Sequence, residues 1–239
     1  MGSLARKSAL MICGDYMEDY ETIVPFHVLQ AFGIRVDCVS PGKISGDKCI
    51  TAVHDYMGYE DYVEDYEINV PFQALGGLGC RVDAVSPSKR KGKKCVTAIH
   101  DPEGAQVCSE KQGHNFMITA DWNDICIDDY DCLVIPGGRS PEFLVMDDKA
   151  VALVKEFAEK DKIIAGIGQG KLLLAAAGLL EGKRCASGHA MKAIVKVAGG
   201  LVESTESVAH GKLLTSIGWP ALPAFISELA SLLKLLVAF

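Results

Sequence analysis

A stretch of 41 residues occurs twice in this chain, and no fold can give both copies the same place. Residues 15–55 align with 61–101 at an offset of 46, with 25 identities in 41 pairs. That is too many for convergence, so the repeat is a duplication. Each copy opens on an acidic run, DYMEDYE (15–21) and DYVEDYE (61–67). The unit reads as a turn, a helix over Glu21–Phe32, a strand over Arg35–Ser40, a loop and a short strand over Cys49–His54, repeated from Glu67 to His100. Ser8–Cys13 (SALMIC) is a good buried strand before copy 1, whereas VHDYMGYE before Asp61 is too polar and Gly-interrupted for a central strand. Either one copy is displaced, or copy 1 serves a neighbouring chain by exchange. Contiguity favours copy 2 and strand quality favours copy 1; the reading adopted is copy 2 lying beside the rest of the domain, with the Ser8–Cys13 strand borrowed.

Downstream, the chain is organised around KIIAGIGQGKLLLAAAGLL (162–180). Ile163–Ile167 has the short apolar run of a buried parallel strand, and Lys171–Leu180 is a strong helix former expected to end at Gly182. A strand, a glycine-rich bend and a helix make the geometry of a nucleophile elbow. Its apex carries Gly168 and Gln169 rather than a serine or cysteine. Before it, Cys132–Ile135 reads as a strand closing on PGGRSPE, whose Gly137 and Gly138 let backbone approach a neighbouring loop. Gly104–Gly113 reads as loop and Phe116–Ala120 as an edge strand. Helices are expected over Lys149–Lys160, Met191–Ala198 and Ala221–Leu236, with strands at Arg184–Ala186 and near Leu201 and Leu213. Strands alternating with helices at this spacing indicate an α/β fold with a mostly parallel sheet.

A net charge of -7 with 49% hydrophobic residues describes a globular chain with a sizeable core, and argues against nucleic acid or an anionic membrane as partner. The one basic run, SPSKRKGKK (86–94), reads as a solvated loop. Nine cysteines without metal-ligand spacing imply free thiols in a reducing, cytoplasmic setting, with no metal and no cofactor.

Taken together, GDYMEDYE, VIPGGRSPE, IIAGIGQG, LLAAAGLLEGKRC and GWPALPAF resemble the DJ-1/PfpI superfamily, also called peptidase family C56, and most of all its plant members with tandem domains. The resemblance implies a flavodoxin-like, class I glutamine amidotransferase-like sandwich. It also implies a partial first repeat (1–55) joined to a near-complete domain (56–239). Plant relatives of this kind are associated with glutathione-independent glyoxalase (glyoxalase III) and deglycase activity. By position, the family's nucleophilic cysteine falls on Gly168 and its histidine on Gln169. The glutamate that bonds the thiol falls on Glu67 or Glu21, and the acidic residue of PGGRxPE on Glu142. Gly137, Gly138, Gly170 and His189 fall on the substrate side of the pocket, and Leu222 where plant relatives tend to carry histidine.

Glyoxalase chemistry of this type needs a thiolate to attack the aldehyde and a carboxylic acid to move a proton. Glycine supplies no nucleophile, and Cys185, nearest in sequence, reads as a packing residue under the elbow helix. Glu21 and Glu67 also suit the first turn of a helix on electrostatic grounds alone, and a lone His189 is more often structural than a ligand. Three readings stand. The chain is an inactive homologue of the glyoxalase/deglycase class that still binds a small aldehyde or anion at the elbow. It keeps residual aldehyde chemistry through Glu67 or Glu21. Or it is a truncated tandem product. The half-domain's extra apolar surface predicts a homo-oligomer.

Overall fold

The computed structural model describes residues 8–13, 17–40, 43–49, 51–52, 62–102 and 108–235. Copy 1 forms strand β1 (Ser8–Ile12), the short strand β2 (Met17–Glu18), helix α1 (Asp19–Ala31), strand β3 (Arg35–Val39) and the short strand β4 (Thr51–Ala52). β1 pairs in parallel with β3, from Ser8↔Arg35 to Ile12↔Val39, and β2 with β4. The first strand is therefore not borrowed by copy 2. Of the short strand expected over Cys49–His54, β4 is the described part, and residues 50 and 53–61 lie outside the described residues.

Copy 2 supplies β5 (Val63–Glu64), helix α2 (Asp65–Gly77), β6 (Lys94–Cys95) and β7 (Thr97–Pro102). β5 pairs with β7 as β2 pairs with β4. β7 continues antiparallel onto β8 (Cys108–Gln112), a strand in the segment expected to be loop, and β6 pairs antiparallel with β9 (Phe116–Met117). Asp65, fully buried, accepts hydrogen bonds from the Thr97 hydroxyl, the His114 amide at 2.8 Å and His114 Nδ1 at 3.1 Å, tying the start of α2 to this hairpin. Among the described residues the copies differ at Lys94–Cys95, a strand where Lys48–Cys49 is none, and in the segment after the helix. Arg81–Val85 (RVDAV) repeats β3 (RVDCV) with one change, yet it carries no strand pairing. It is held through Ala84, whose amide donates to Thr119 Oγ1 at 2.8 Å and whose carbonyl accepts from the Thr119 and Ala120 amides.

The remaining elements are β10 (Cys132–Ile135), α3 (Ser140–Leu144), α4 (Asp148–Glu159), β11 (Ile163–Ile167), α5 (Lys171–Ala176), β12 (Arg184–Ala186), α6 (Lys192–Val197), β13 (Leu201–Glu203), β14 (Ser207–His210), β15 (Leu213–Ser216) and α7 (Leu222–Leu232). The central sheet has the order β10-β11-β15-β14, the first three parallel and β14 antiparallel. β11 is buried at every residue, which explains its unbroken apolar run. Ile163, Ala165 and Ile167 join one core with Tyr66, Val70 and Phe225, while Ile164 joins another with Val154, Phe157 and Leu174. Helices α1, α2 and α7 thus cover one face and α4, α5 and α6 the other, a three-layer α/β arrangement.

Helix α4 shows why such a segment folds as it does. Asp147 caps its first turn by accepting from the Lys149 amide at 2.8 Å, and Ala150, Val154 and Phe157 form its buried stripe. Helix α5 is shorter than its sequence suggests. Gly178, at φ +75°, ends it before Gly182, with the Leu179 amide turning back to the Leu174 carbonyl. Copy 1 is not peripheral: Val24 and Ala31 of α1 belong to the core that α2 and α7 share.

Candidate functional site

The parallel strands β10, β11 and β15 end side by side, and the segments leaving them meet. β10 runs into Pro136-Gly137-Gly138, β11 into a 3-10 turn over Gly168–Gly170, and β15 toward Gly218-Trp219. The start of α2 is stitched onto this edge. Val63 bridges Gly138, the Glu64 amide donates to the Gly137 carbonyl at 3.1 Å, and the Arg139 amide donates to the Tyr62 carbonyl at 2.9 Å. Glycine is required at the crossing. A Cβ on Gly138, at φ +79°, would stand 2.3 Å from the Glu64 nitrogen, and one on Gly170 would stand 2.2 Å from the Ile135 carbonyl oxygen.

Glu67, in the first turn of α2, points into this junction. Its amide donates to Glu64 Oε2 at 2.7 Å, which makes Glu64 the helix cap, and its own Oε2 accepts from the Gly137 amide at 2.7 Å. Glu67 is 4% exposed, and burial pushes its carboxyl from 4.5 up to about 7, against the Gly137 and Trp219 amides and the Lys171 ammonium, which favour the charged form. Lys171 is fully buried in the first turn of α5 and donates to the Ser216 carbonyl. Burial lowers its ammonium to about 8, with Glu67 opposing that shift. Burial likewise holds the Glu64 carboxyl well above its ordinary range, with the Glu67 charge beside it adding to the effect.

The apex itself keeps the strained geometry of an elbow. Gly168 sits at φ +49°, and a Cβ there would lie 2.8 and 3.0 Å from the two Glu67 carboxylate oxygens. Any side chain at 168 would therefore emerge directly onto Glu67. Gln169 follows with its Oε1 buried and without a hydrogen-bond partner. The structure brings together Gly168, Gln169, Gly170, Gly137, Gly138 and Glu67, all named from the sequence. It places the others elsewhere. The Glu142 side chain is 43% exposed and lies 3.8 Å from Arg139, and His189 is exposed in a 3-10 turn. The backbone of Glu21 lies in α1, and its side chain is outside the described atoms. Leu222 is fully buried in the core, and Cys185 packs with Leu173 and Leu174 beneath α5, as its sequence position suggested.

Two participants were not anticipated. Lys171 escapes sequence reading because a lysine opening a helix ordinarily faces water; here its ammonium is turned inward to the Ser216 carbonyl of β15. Glu64 reads as one more residue of an acidic run until the capping geometry singles it out. Among the described residues no His/Cys/Asp/Glu group is arranged to hold a metal ion, the eight cysteines described form no disulfide, and no helix is long and apolar enough to cross a membrane.

Comparison with known proteins places this geometry. The chain is 48% identical to DJ-1 protein homolog E of Arabidopsis thaliana over 99% of its own length and 49% of that protein's. It is 37% identical to Protein DJ-1 homolog D of the same plant over 98% of its length and 50% of that protein's. The chain thus spans about half the length of these curated relatives. Over 54% of the chain and 77% of the other protein, it is 30% identical to Deglycase PfpI of Pyrococcus furiosus. Among solved structures, a ThiJ/PfpI family protein from Pseudomonas syringae superposes with a TM-score of 0.51 at 16% identity, covering 97% of this chain and 70% of that one. A ThiJ/PfpI domain protein from Brachyspira murdochii gives 0.50 at 17% identity, covering 97% and 98%. The shared fold is the flavodoxin-like α/β sandwich expected from the sequence. The DJ-1/PfpI family pattern matches residues 56–232, from just before the copy-2 helix to the closing one, and with the elbow and its glutamate in place the chain belongs to the DJ-1/PfpI family.

Proposed function

We propose that this chain is a glyoxalase III/deglycase-like protein of the aldehyde or oxidative stress response that binds a small aldehyde or anion at the elbow without turning it over. The observation supporting this is Gly168: the backbone holds the elbow angle and the glutamate faces the apex, but no nucleophile is present. Names among its relatives, including Deglycase PfpI, supply the reaction class.

The test is methylglyoxal consumption by the purified chain beside the double variant Gly168→Cys/Gln169→His. The parent is expected to be silent and the variant to gain turnover. The new Cβ must displace the Glu67 carboxylate by a few tenths of an ångström, which the far end of a side chain can accommodate. Silence in both, with folding intact, would count against a working pocket. Activity in the parent would overturn the inactive reading and favour a second one, which the raised pKa of Glu67 suggests. In that reading Glu67 removes the C–H proton of hydrated methylglyoxal to give an enediol, then returns it to the adjacent carbon, yielding lactate without a covalent intermediate.

A further inference from the structure

The duplication supplies an internal control for one surface of the molecule. Residues 41–48 (PGKISGDK) and 87–94 (PSKRKGKK) are the same loop in the two copies. Their described backbones turn alike. The Lys43 amide donates to the Ser40 carbonyl at 3.2 Å and the Lys89 amide to the Ser86 carbonyl at 3.4 Å. The Asp47 amide donates to the Ile44 carbonyl and the Lys93 amide to the Arg90 carbonyl, each at 3.0 Å. Gly46 and Gly92 both take a left-handed φ, +98° and +80°. The charges differ: the copy-1 loop has two cations and one acid, the copy-2 loop five cations and no acid. Since Ile44, Ser45 and Asp47 support this turn in copy 1, the matching Arg90, Lys91 and Lys93 are not needed to form it.

The basic loop is one wall of a cleft of ≈ 510 Å³, a volume within the range of small-ligand sites. Lys89 and Arg90 line it together with Trp122 and with Lys149 of α4. Every lining residue is among those described, and none belongs to the elbow. Among the described residues, Lys89, Arg90 and Lys149 make no ion pair. Three carboxylates also line the cleft, and two of them are turned to backbone. Asp121 Oδ1 accepts from the Lys91 amide at 2.9 Å and Asp147 Oδ1 from the Lys149 amide at 2.8 Å, which leaves Asp124. With the rest of the loop, six cations stand against these three acids, so the field favours an anion although the chain as a whole is acidic. Trp122 is half-buried, packed in part on the core of α4 and α5, and offers an aromatic wall.

We propose that this cleft binds a mononucleotide, with its phosphates held by Arg90, Lys89 and Lys149 and its base laid against Trp122. A guanidinium and two ammonium groups without partners suit phosphate oxygens, and a fixed indole suits a flat ring. The duplication then has a division of labour: one copy keeps the plain loop, and the copy that serves the elbow carries the charged one.

The experiment titrates ADP into the full chain by calorimetry, beside inorganic pyrophosphate and adenosine. One ADP per chain is expected, bound about tenfold or more tighter than either fragment and weakened by added salt. Arg90→Ile/Lys91→Ser/Lys93→Asp gives the loop its copy-1 residues at these positions, and Lys149→Met removes the cation on α4. Each variant is expected to bind ADP about tenfold or more weakly, with the melting temperature of the parent. Absence of ADP binding, either fragment binding as tightly as ADP, or ADP binding that survives the loop replacement would overturn the proposal.

Discussion

Glu67 carries the electrostatics of the site, and its burial makes folding stability depend on pH. Its carboxyl titrates near 7 in the folded chain and near 4.5 when unfolded, so between those values the folded state holds more protons and stability falls as pH rises. Lys171 has the opposite sense, since its lowered ammonium pKa makes stability rise with pH above about 8. Glu67→Gln is therefore expected to flatten the decline of Tm between pH 4.5 and 7, while the parent keeps it. Parallel Tm profiles for the two proteins would show that Glu67 does not titrate in that range. The residue was legible through the family resemblance of the repeated acidic run, which left Glu21 and Glu67 both open. Its partner was not: Lys171 gains its environment from strands distant in sequence.

Among the elements, the crossing of β10 over the elbow turn separates required glycines from incidental ones. A Cβ on Gly170 would press on the Ile135 backbone, which cannot yield as a side chain can. Gly170→Ala should cost about 1–3 kcal/mol or more. Gly76 in α2 has open space around its Cβ position and an ordinary φ, so Gly76→Ala should stabilise by about 0.4–1 kcal/mol. Denaturant midpoints that moved the same way for both would contradict the geometry. The elements that were readable, β11 and the PGG turn, have signatures that depend little on neighbours: an unbroken apolar run and paired glycines. Those misread depend on partners. CSEKQ forms β8 only because β7 offers an edge, and RVDAV is no strand because, among the described residues, no strand pairs with it, although its near-twin RVDCV is one. Copy 2 rather than copy 1 serves the elbow in part because Asp65 finds its His114 partner downstream of the duplicated unit.

At the scale of the whole molecule, Trp219 joins the copies. Its indole N–H donates to the His100 carbonyl at 2.9 Å, and its ring stacks on His27 of α1 at 6.5 Å and meets Tyr66 of α2 at 5.3 Å. Burial lowers the His27 imidazole to about 4, so a neutral ring lies against the indole at physiological pH. Because α1, α2 and α7 share one core, the chain is expected to melt as a unit. In a Trp122→Phe background, the emission of Trp219 should change at the same temperature as the far-ultraviolet circular dichroism. An earlier change in emission would mean that α1 undocks independently and that the duplicated segment is an appendage.

The glycine at the elbow has a consequence for redox chemistry. Peroxide attacks a thiolate, carrying it to sulfenic and then to irreversible acids, and a low-pKa thiol facing an active site is the most exposed to that fate. A site whose apex is Gly168 has no sulfur at that position to oxidise. Whatever the elbow holds against Glu67, it would go on holding under oxidant loads that silence a thiol enzyme.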